Sequence, residues 1–336
     1  MNLLVTGCCG FIGSNFIRYI LEKYPNYKIT NLDLLTYAGN LQNLKDIEKN
    51  NNYKFIKGDI ADYKLVIKIL IENKIEAVIN FAAESHVDRS IQDPAPFITT
   101  NVFGTQILLQ VSKENNIKRY IQVSTDEVYG SAEPDEYFTE NTPLRPNSPY
   151  SASKASADLL VRSYWETYKF PVIITRCSNN YGPYQFPEKL IPLMITNALE
   201  NKKIPVYGDG LNVRDWIYVL DHCKALDVVL HKGRDGEVYN IGGKSEMKNI
   251  DVVKLVLKEM NKPESLIEFV KDRPGHDRRY AIDSTKIEKE MDWRCEHDFG
   301  EWIRETLKWY INSRDWWLNI KNGDYMEYYS RQYVER

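Results

Sequence analysis

Apolar residues in the first half of the chain come in short runs, separated by stretches of helical period. The first run, NLLVTG at residues 2–7, predicts a buried strand through Leu3, Leu4 and β-branched Val5. Residues 11–24 then carry Ile12, Phe16, Ile17, Ile20 and Leu21 on one helical face. Further runs at 27–33, 53–60, 76–83, 119–125 and 171–180 predict strands, and 62–73, 97–115 and 150–168 predict helices between them. Strands alternating with helices imply an α/β fold with a doubly wound, mostly parallel sheet. Past about residue 183 the rhythm changes. Short strands at 204–210, 215–219, 236–242 and 267–272 mix with helices at 188–200, 221–231, 249–260 and 299–313, the pattern of a second, smaller α+β lobe. The expected division is 1–182 and 183–336, with some later segments returning to the first part.

Charge and cysteine content narrow the class. A net charge of -3 argues against a nucleic-acid partner. The five cysteines are scattered apart from Cys8 and Cys9, so no disulfide framework is visible and a cytoplasmic location is expected. MNLLVTG reads as a strand entering a turn rather than a secretory leader, and no run of about 18 apolar residues predicts a membrane span.

Residues 6–15, TGCCGFIGSN, raise the first question of chemistry. Gly7, Gly10 and Gly13 form G-x-x-G-x-x-G between a predicted strand and a predicted helix. That context suits a dinucleotide: glycines permit a tight turn and close backbone approach, and a helix N-terminus faces the pyrophosphate. Asp33 ends the next predicted strand twenty residues after Gly13, where a carboxylate accepts from ribose hydroxyls and repels a 2′-phosphate. NAD is therefore expected over NADP. Cys8 and Cys9 read as compact fillers of the turn, and no metal-ligand spacing accompanies them.

YSASK at 150–154 sets Tyr150 and Lys154 one helical turn apart. An ammonium beside a phenol lowers its pKa, so such a tyrosine can take a proton from an alcohol as a hydride leaves the same carbon. STDEVYG, upstream at 124–130, brings Thr125, Asp126 and Glu127 to a strand's C-terminal end, where open α/β sheets bind ligands.

These motifs, with LTYAGN (35–40), AAESHVDRSI (82–91), CSNNYGPYQFPEKLIP (177–192), RDWIYVLDH (214–222), YNIGG (239–243) and DRPGHDRRYAID (272–283), resemble the extended short-chain dehydrogenases/reductases. More narrowly they resemble the dTDP-glucose 4,6-dehydratases, from residue 1 to about 310. The resemblance implies a Rossmann-like domain, bound NAD, dTDP-glucose as substrate and a homodimer built on helices 97–115 and 150–168. It assigns Tyr150, Lys154 and Thr125 to oxidation at carbon 4, Glu127 to the carbon-5 proton and Asp126 to the departing 6-hydroxyl. On the cofactor side it adds Phe11, Ile12, Leu34, Leu35, Thr36, Asp59, Ile60, Phe81, Ala82, Ala83, Ser85, Thr100 and Asn180 to the glycines and Asp33. Leu34 stands where many relatives carry lysine. Substrate contacts by resemblance are Ser85, Thr125, Asn179, Lys189, Leu190, Pro205, Val206, Tyr207, Arg214, Asn249, Asp272, Arg273, Pro274, Gly275 and His276. Rivals are a UDP-glucose 4,6-dehydratase, an epimerase or decarboxylase of the same superfamily, and a non-catalytic NAD-sensing protein. His86, His222, His231 and His297 lack metal-ligand spacing and read as packing or surface residues. The aromatic stretch 308–333 reads as lobe packing.

Overall fold

The computed structural model describes residues 1–321 and 324–334. Its strands are β1 Asn2–Thr6, β2 Lys28–Asp33, β3 Tyr53–Lys57, β4 Ala77–Asn80, β5 Arg119–Thr125, β6 Val172–Cys177, β7 Asn179–Tyr181, β8 Ile204–Tyr207, β9 Val213–Tyr218, β10 Val238–Ile241, β11 Glu246–Lys248 and β12 Ile267–Val270. Seven of them form one parallel sheet in the order β10-β6-β5-β4-β1-β2-β3. The order reverses between β1 and β4, and ligand clefts of doubly wound sheets open at that switch point.

Helices cover both faces. Phe16, Ile17 and Ile20 of helix Phe11–Lys23 share one buried core with Leu226 and Val229 of helix Val219–Lys232. On the other face Val66, Ile69, Leu108, Val111 and Val161 pack against Val78 and Ile174. Helix 219–232 and β10 therefore return to the first part of the chain, so its division does not fall at one point in the sequence.

Two predicted elements are interrupted, each for a local reason. The run 171–180 breaks at Ser178, whose amide donates to the Ile241 carbonyl. β7 then leaves the main sheet and pairs with β9, which pairs with β11. The helix predicted at 97–115 contains a π-helical segment, Ile98–Gly104. Within it Asn101 turns inward, accepts from the Glu84 amide and donates to the Glu84 carbonyl, both at 2.9 Å. Such π segments are frequent at functional sites.

The second lobe packs β8, β9, helix Leu190–Leu199, helix Asn249–Glu259 and helix Phe299–Asn312 around Met194, Trp216, Val256, Leu307 and Tyr310. The aromatic stretch joins this core: Trp317 is fully buried, and Trp309 meets Trp316 edge-on at 5.0 Å. Residues 322 and 323 of that stretch lie outside the described residues. No helix of the described residues is long and apolar enough to cross a membrane.

Candidate active site

The glycine turn works by excluding side chains. Gly7 has φ +69°, and a Cβ there would sit 2.5 Å from the Ala82 Cα. A Cβ on Gly13 would sit 2.5 Å from the Cys8 sulfur, so Cys8 fills the space into which this helix settles. Both cysteines of the turn are fully buried, and burial pushes both thiols up. They are inert filling, neither exposed nor reactive. Gly10 is the N-cap of helix Phe11–Lys23, and no side chain caps it, which leaves backbone donors facing the cleft.

Asp33 closes β2 against this turn. Its Oδ2 accepts the Cys9 amide and its Oδ1 the Leu35 amide, both at 2.8 Å. Burial raises its pKa, and the two amides pull it back. A cradle without side chains, free helix-end donors and a carboxylate at the adjacent strand end together fit an NAD molecule.

One cleft crosses the C-terminal ends of the parallel strands. Its wall gathers Gly7, Gly10, Phe11, Ile12, Gly13, Asp33, Leu34, Thr36, Asp59, Ile60, Phe81, Ala82, Ala83, Ser85 and Thr100, with Thr125, Asp126, Glu127, Tyr150, Lys154, Asn179, Asn180 and Lys189. Leu35 is not on that wall. Its φ is +60°, and its side chain packs on the sheet core. Also off the wall are Leu190, Pro205, Val206, Tyr207, Arg214, Asn249 and Asp272 to His276. Among these, Leu190 and Val206 belong to the lobe core, which is a correction to their reading as contact side chains. Sequence reasoning missed Tyr37, Gly39, Gly58, Glu84, Gln185, Phe186 and Glu188 on the wall. All but Gly58 lie inside the quoted blocks 35–40, 82–91 and 177–192, and that was their only signal.

Helix Pro149–Tyr168 delivers Tyr150. Ser148 caps it in a capping box with Ser151, and Pro149 starts its first turn. The Tyr150 amide donates to Ser90 Oγ. Lys154 donates to the Val123 carbonyl at 2.7 Å, and burial lowers its pKa. Burial, then Glu127, Cys177 and Asp126, hold the Tyr150 phenol well above its usual range, and a hydrogen bond with Thr125 acts against them. This corrects the expectation that Lys154 lowers the phenol's pKa: burial and the nearby carboxylates raise it. Thr125 is the phenol's stabilising neighbour, while a backbone carbonyl engages the ammonium.

The two carboxylates face different surroundings. Asp126 is buried, and burial, then Glu127 and Asp215, push its pKa well up. Its Oδ1 accepts from the Thr125 hydroxyl at 3.2 Å. Burial also raises Glu127, but Arg273, Arg214 and Lys189 all pull it down. Both carboxylates are raised, but only Glu127 has three cations acting against the rise, and such unequal surroundings set paired carboxylates apart.

Buried Asn179 Oδ1, Asn249 Oδ1 and Arg273 Nε have no hydrogen-bond partner in the protein. Arg214 lies over the Tyr280 ring at 4.1 Å and donates to the Asp277 carbonyl. His276 bonds Asp272 Oδ1 at 2.6 Å. Across the cleft mouth, Arg89 lies 4.3 Å from both the Tyr37 and the Tyr328 rings and donates to Glu188. His222 is buried against Asn180 Oδ1, with its pKa lowered by burial to about 3. No group of three or more metal-ligating side chains occurs among the described residues.

This arrangement, a dinucleotide cradle beside a Tyr–Lys pair and two strand-end carboxylates, places the chain in the class of dinucleotide-dependent enzymes whose chemistry begins at an alcohol. Comparison with known proteins narrows it. A family model described as GDP-mannose 4,6 dehydratase matches residues 4–306. The chain is 50% identical to a curated dTDP-glucose 4,6-dehydratase of Xanthomonas campestris, over 96% of each. It is 55% identical to the crystal structure of dTDP-glucose 4,6-dehydratase from Bacillus anthracis in complex with NAD, with a TM-score of 0.91 over 96% of this chain and 100% of that one. The Streptomyces venezuelae enzyme of the same name, with NAD and TYD bound, matches at 47% identity and a TM-score of 0.93, over 96% of this chain and 100% of that one. The chain belongs to the dTDP-glucose 4,6-dehydratase family.

Proposed function

We propose that this protein converts dTDP-glucose to dTDP-4-keto-6-deoxyglucose, as an NAD-dependent carbon–oxygen lyase. The observation that carries the reading is the juxtaposition of Thr125, Asp126 and Glu127 with Tyr150 in one cleft. Bound NAD supplies the hydride acceptor and donor. The glycine turn and Asp33 would hold it, with Thr100 and Asn180 further along the wall.

The protein's own groups manage protons. The proton on carbon 5 of a hexose becomes acidic only when carbon 4 is a ketone. Tyr150 takes the proton of the 4-hydroxyl, with Thr125 bonded to the same oxygen, and the ammonium of Lys154 one helical turn on would stabilise the phenolate that burial disfavours. Glu127, favoured as a carboxylate by three cations, then removes the carbon-5 proton. Asp126, kept protonated by burial and by the charge of Glu127, gives its proton to the leaving 6-hydroxyl. Water leaves; return of the hydride to carbon 6 and of a proton from Glu127 to carbon 5 then closes a redox-neutral cycle, and the proton left on Tyr150 makes good the one Asp126 gave up. Arg214, Arg273, Lys189, Asn179, Asn249 and Tyr207 would receive the nucleoside diphosphate sugar.

The same proposal covers assembly, location and lobes. Ile98 and Phe103 are exposed on one of two packed helices and Leu159 and Tyr168 on the other, apolar surface suited to a homodimer. Five free cysteines fit a cytoplasmic protein. Residues 1–182 form the NAD domain, joined by 219–232 and 238–241, and most of the remainder forms the substrate lobe. Incubation with dTDP-glucose and, separately, UDP-glucose, followed by the base-induced absorbance of a 4-keto-6-deoxy sugar, tests the reading. Conversion of neither sugar would overturn it.

A further inference from the structure

Asp88 has no place in the chemistry above, yet it is buried at 5% exposure between the two lobes. It lies in helix Val87–Gln92, which follows β4 of the NAD domain. Its Oδ2 accepts the Tyr207 hydroxyl at 2.9 Å, and Tyr207 ends β8 in the substrate lobe. Its Oδ1 has no hydrogen-bond partner but lies 3.6 Å from Arg273 Nη1. The Tyr207 oxygen accepts from Gln332 Nε2 at 2.6 Å, and Gln332 is held in turn by Gln92 at 3.2 Å. The Tyr333 ring lies 5.9 Å from that of Tyr207. Gln332, Tyr207, Asp88 and Arg273 thus form one chain of contacts, from the end of the polypeptide to a cation that also faces Glu127.

We propose that Asp88 and Gln332 are positioning residues that set Tyr207 and Arg273 for the nucleoside diphosphate part of the substrate, so that the C-terminal segment completes this subsite. The inference rests on the functional reading given above. Arg273 faces two carboxylates, Asp88 and Glu127. A diphosphate needs its guanidinium without losing it to Glu127, and Asp88, 3.6 Å away, gives it a second carboxylate partner. Tyr207 gives its one hydroxyl proton to Asp88 while its oxygen accepts from Gln332, so both its donor and an acceptor site are engaged. The ring is thereby fixed in one orientation before ligand arrives, which lowers the ordering penalty of binding. Neither Asp88 nor Gln332 need touch the reacting carbons.

The test uses the NAD-loaded enzyme with three variants, Asp88→Asn, Asp88→Glu and Gln332→Leu. Asp88→Asn should raise KM for dTDP-glucose and Kd for dTDP by about 10-fold or more, with kcat changed less than 3-fold. Gln332→Leu should do the same to a smaller degree, about 3- to 10-fold. Asp88→Glu should recover part of the loss. NAD affinity and the circular dichroism spectrum should match wild type in all three, which a merely structural role would not predict. The Asp88→Asn and Gln332→Leu double variant should lose less than the product of the two single losses, since both act through Tyr207. Unchanged KM and dTDP affinity in both single variants, or a fall in kcat at constant KM, would overturn the proposal. If wild type itself neither binds dTDP nor converts dTDP-glucose, the functional reading fails first.

Discussion

The cofactor half and the substrate half of the cleft are built from different materials. On the cofactor side the working groups are backbone: a turn without side chains, an uncapped helix start and one carboxylate that itself binds two amides. Most of these residues lie within 33 positions of each other in the chain. On the substrate side the working groups are ionisable side chains held out of water. Asp88, Asp126, Glu127, Lys189, Arg214 and Arg273 come from five separate segments, and their charges shift the proton affinities of Asp126, Glu127, Lys189 and Arg273. Backbone sites bind by shape and fixed dipoles, and they carry little pH dependence. Clustered buried charges perform acid–base work, at the expense of fold stability.

The sharpest break of this contrast removes a charge from the substrate half. Glu127→Gln should lower turnover by roughly 10²–10⁴. Oxidation should still occur, so rapid mixing should show NADH absorbance and a 4-keto sugar that goes no further. Tyr150→Phe should show no NADH at all on adding substrate. Loss of NADH formation in Glu127→Gln would reassign that residue to oxidation.

A cofactor-side change should act on binding instead. Asp33→Asn places an amide NH₂ against a backbone donor and removes the ribose acceptor. It should weaken NAD by about 1–3 kcal/mol, the range for a buried group left unpaired. Calorimetry should find the binding enthalpy altered and the NADP affinity unchanged or improved. Equal NAD affinity in wild type and variant would count against Asp33 as the ribose acceptor.

Stability should report the buried charges with a defined sign. Asp126 has a folded pKa raised by burial and by Glu127, so the folded state binds the proton more tightly than the unfolded chain does. Its contribution is fully present below the unfolded carboxylate value of about 4 and is lost as pH rises toward the folded value. Asp126→Asn removes that titration. It should raise Tm by roughly 2–4 °C near pH 8, about 1 kcal/mol, and the gain should shrink as pH falls toward 5. A melting series from pH 5 to 8 decides it, and a gain that grows on acidification would reverse the assignment.

The smallest effect on turnover belongs to the glycine turn. Cys8→Ala with Cys9→Ala should leave turnover within a few-fold, because both side chains are buried and unreactive. The expected penalty is in packing, about 1–2 kcal/mol of stability. Complete loss of activity in a folded variant would restore a chemical role to these thiols.

What the sequence determined by itself was everything set by near neighbours. Apolar period marked the sheet strands and their helices to within a few residues, since burying one face of each element needs that spacing. The glycine turn was legible because its conformational demand and its helix follow at once in the chain. Tyr150 and Lys154, and the triplet 125–127, were legible because the chemistry needs them one turn or one residue apart. Tertiary structure alone decided the remainder. It returned helix 219–232 and β10 to the first sheet, which their own periodicity could not announce. It placed Leu35 and Val206 in cores, and it brought Tyr37, Glu188, Asp88 and Gln332 to the cleft or its edge. Asp88 and Gln332 are 244 positions apart and share one tyrosine hydroxyl. No local pattern encodes such a meeting, because a hydrogen bond forms between groups that packing brings together, whatever their separation along the chain.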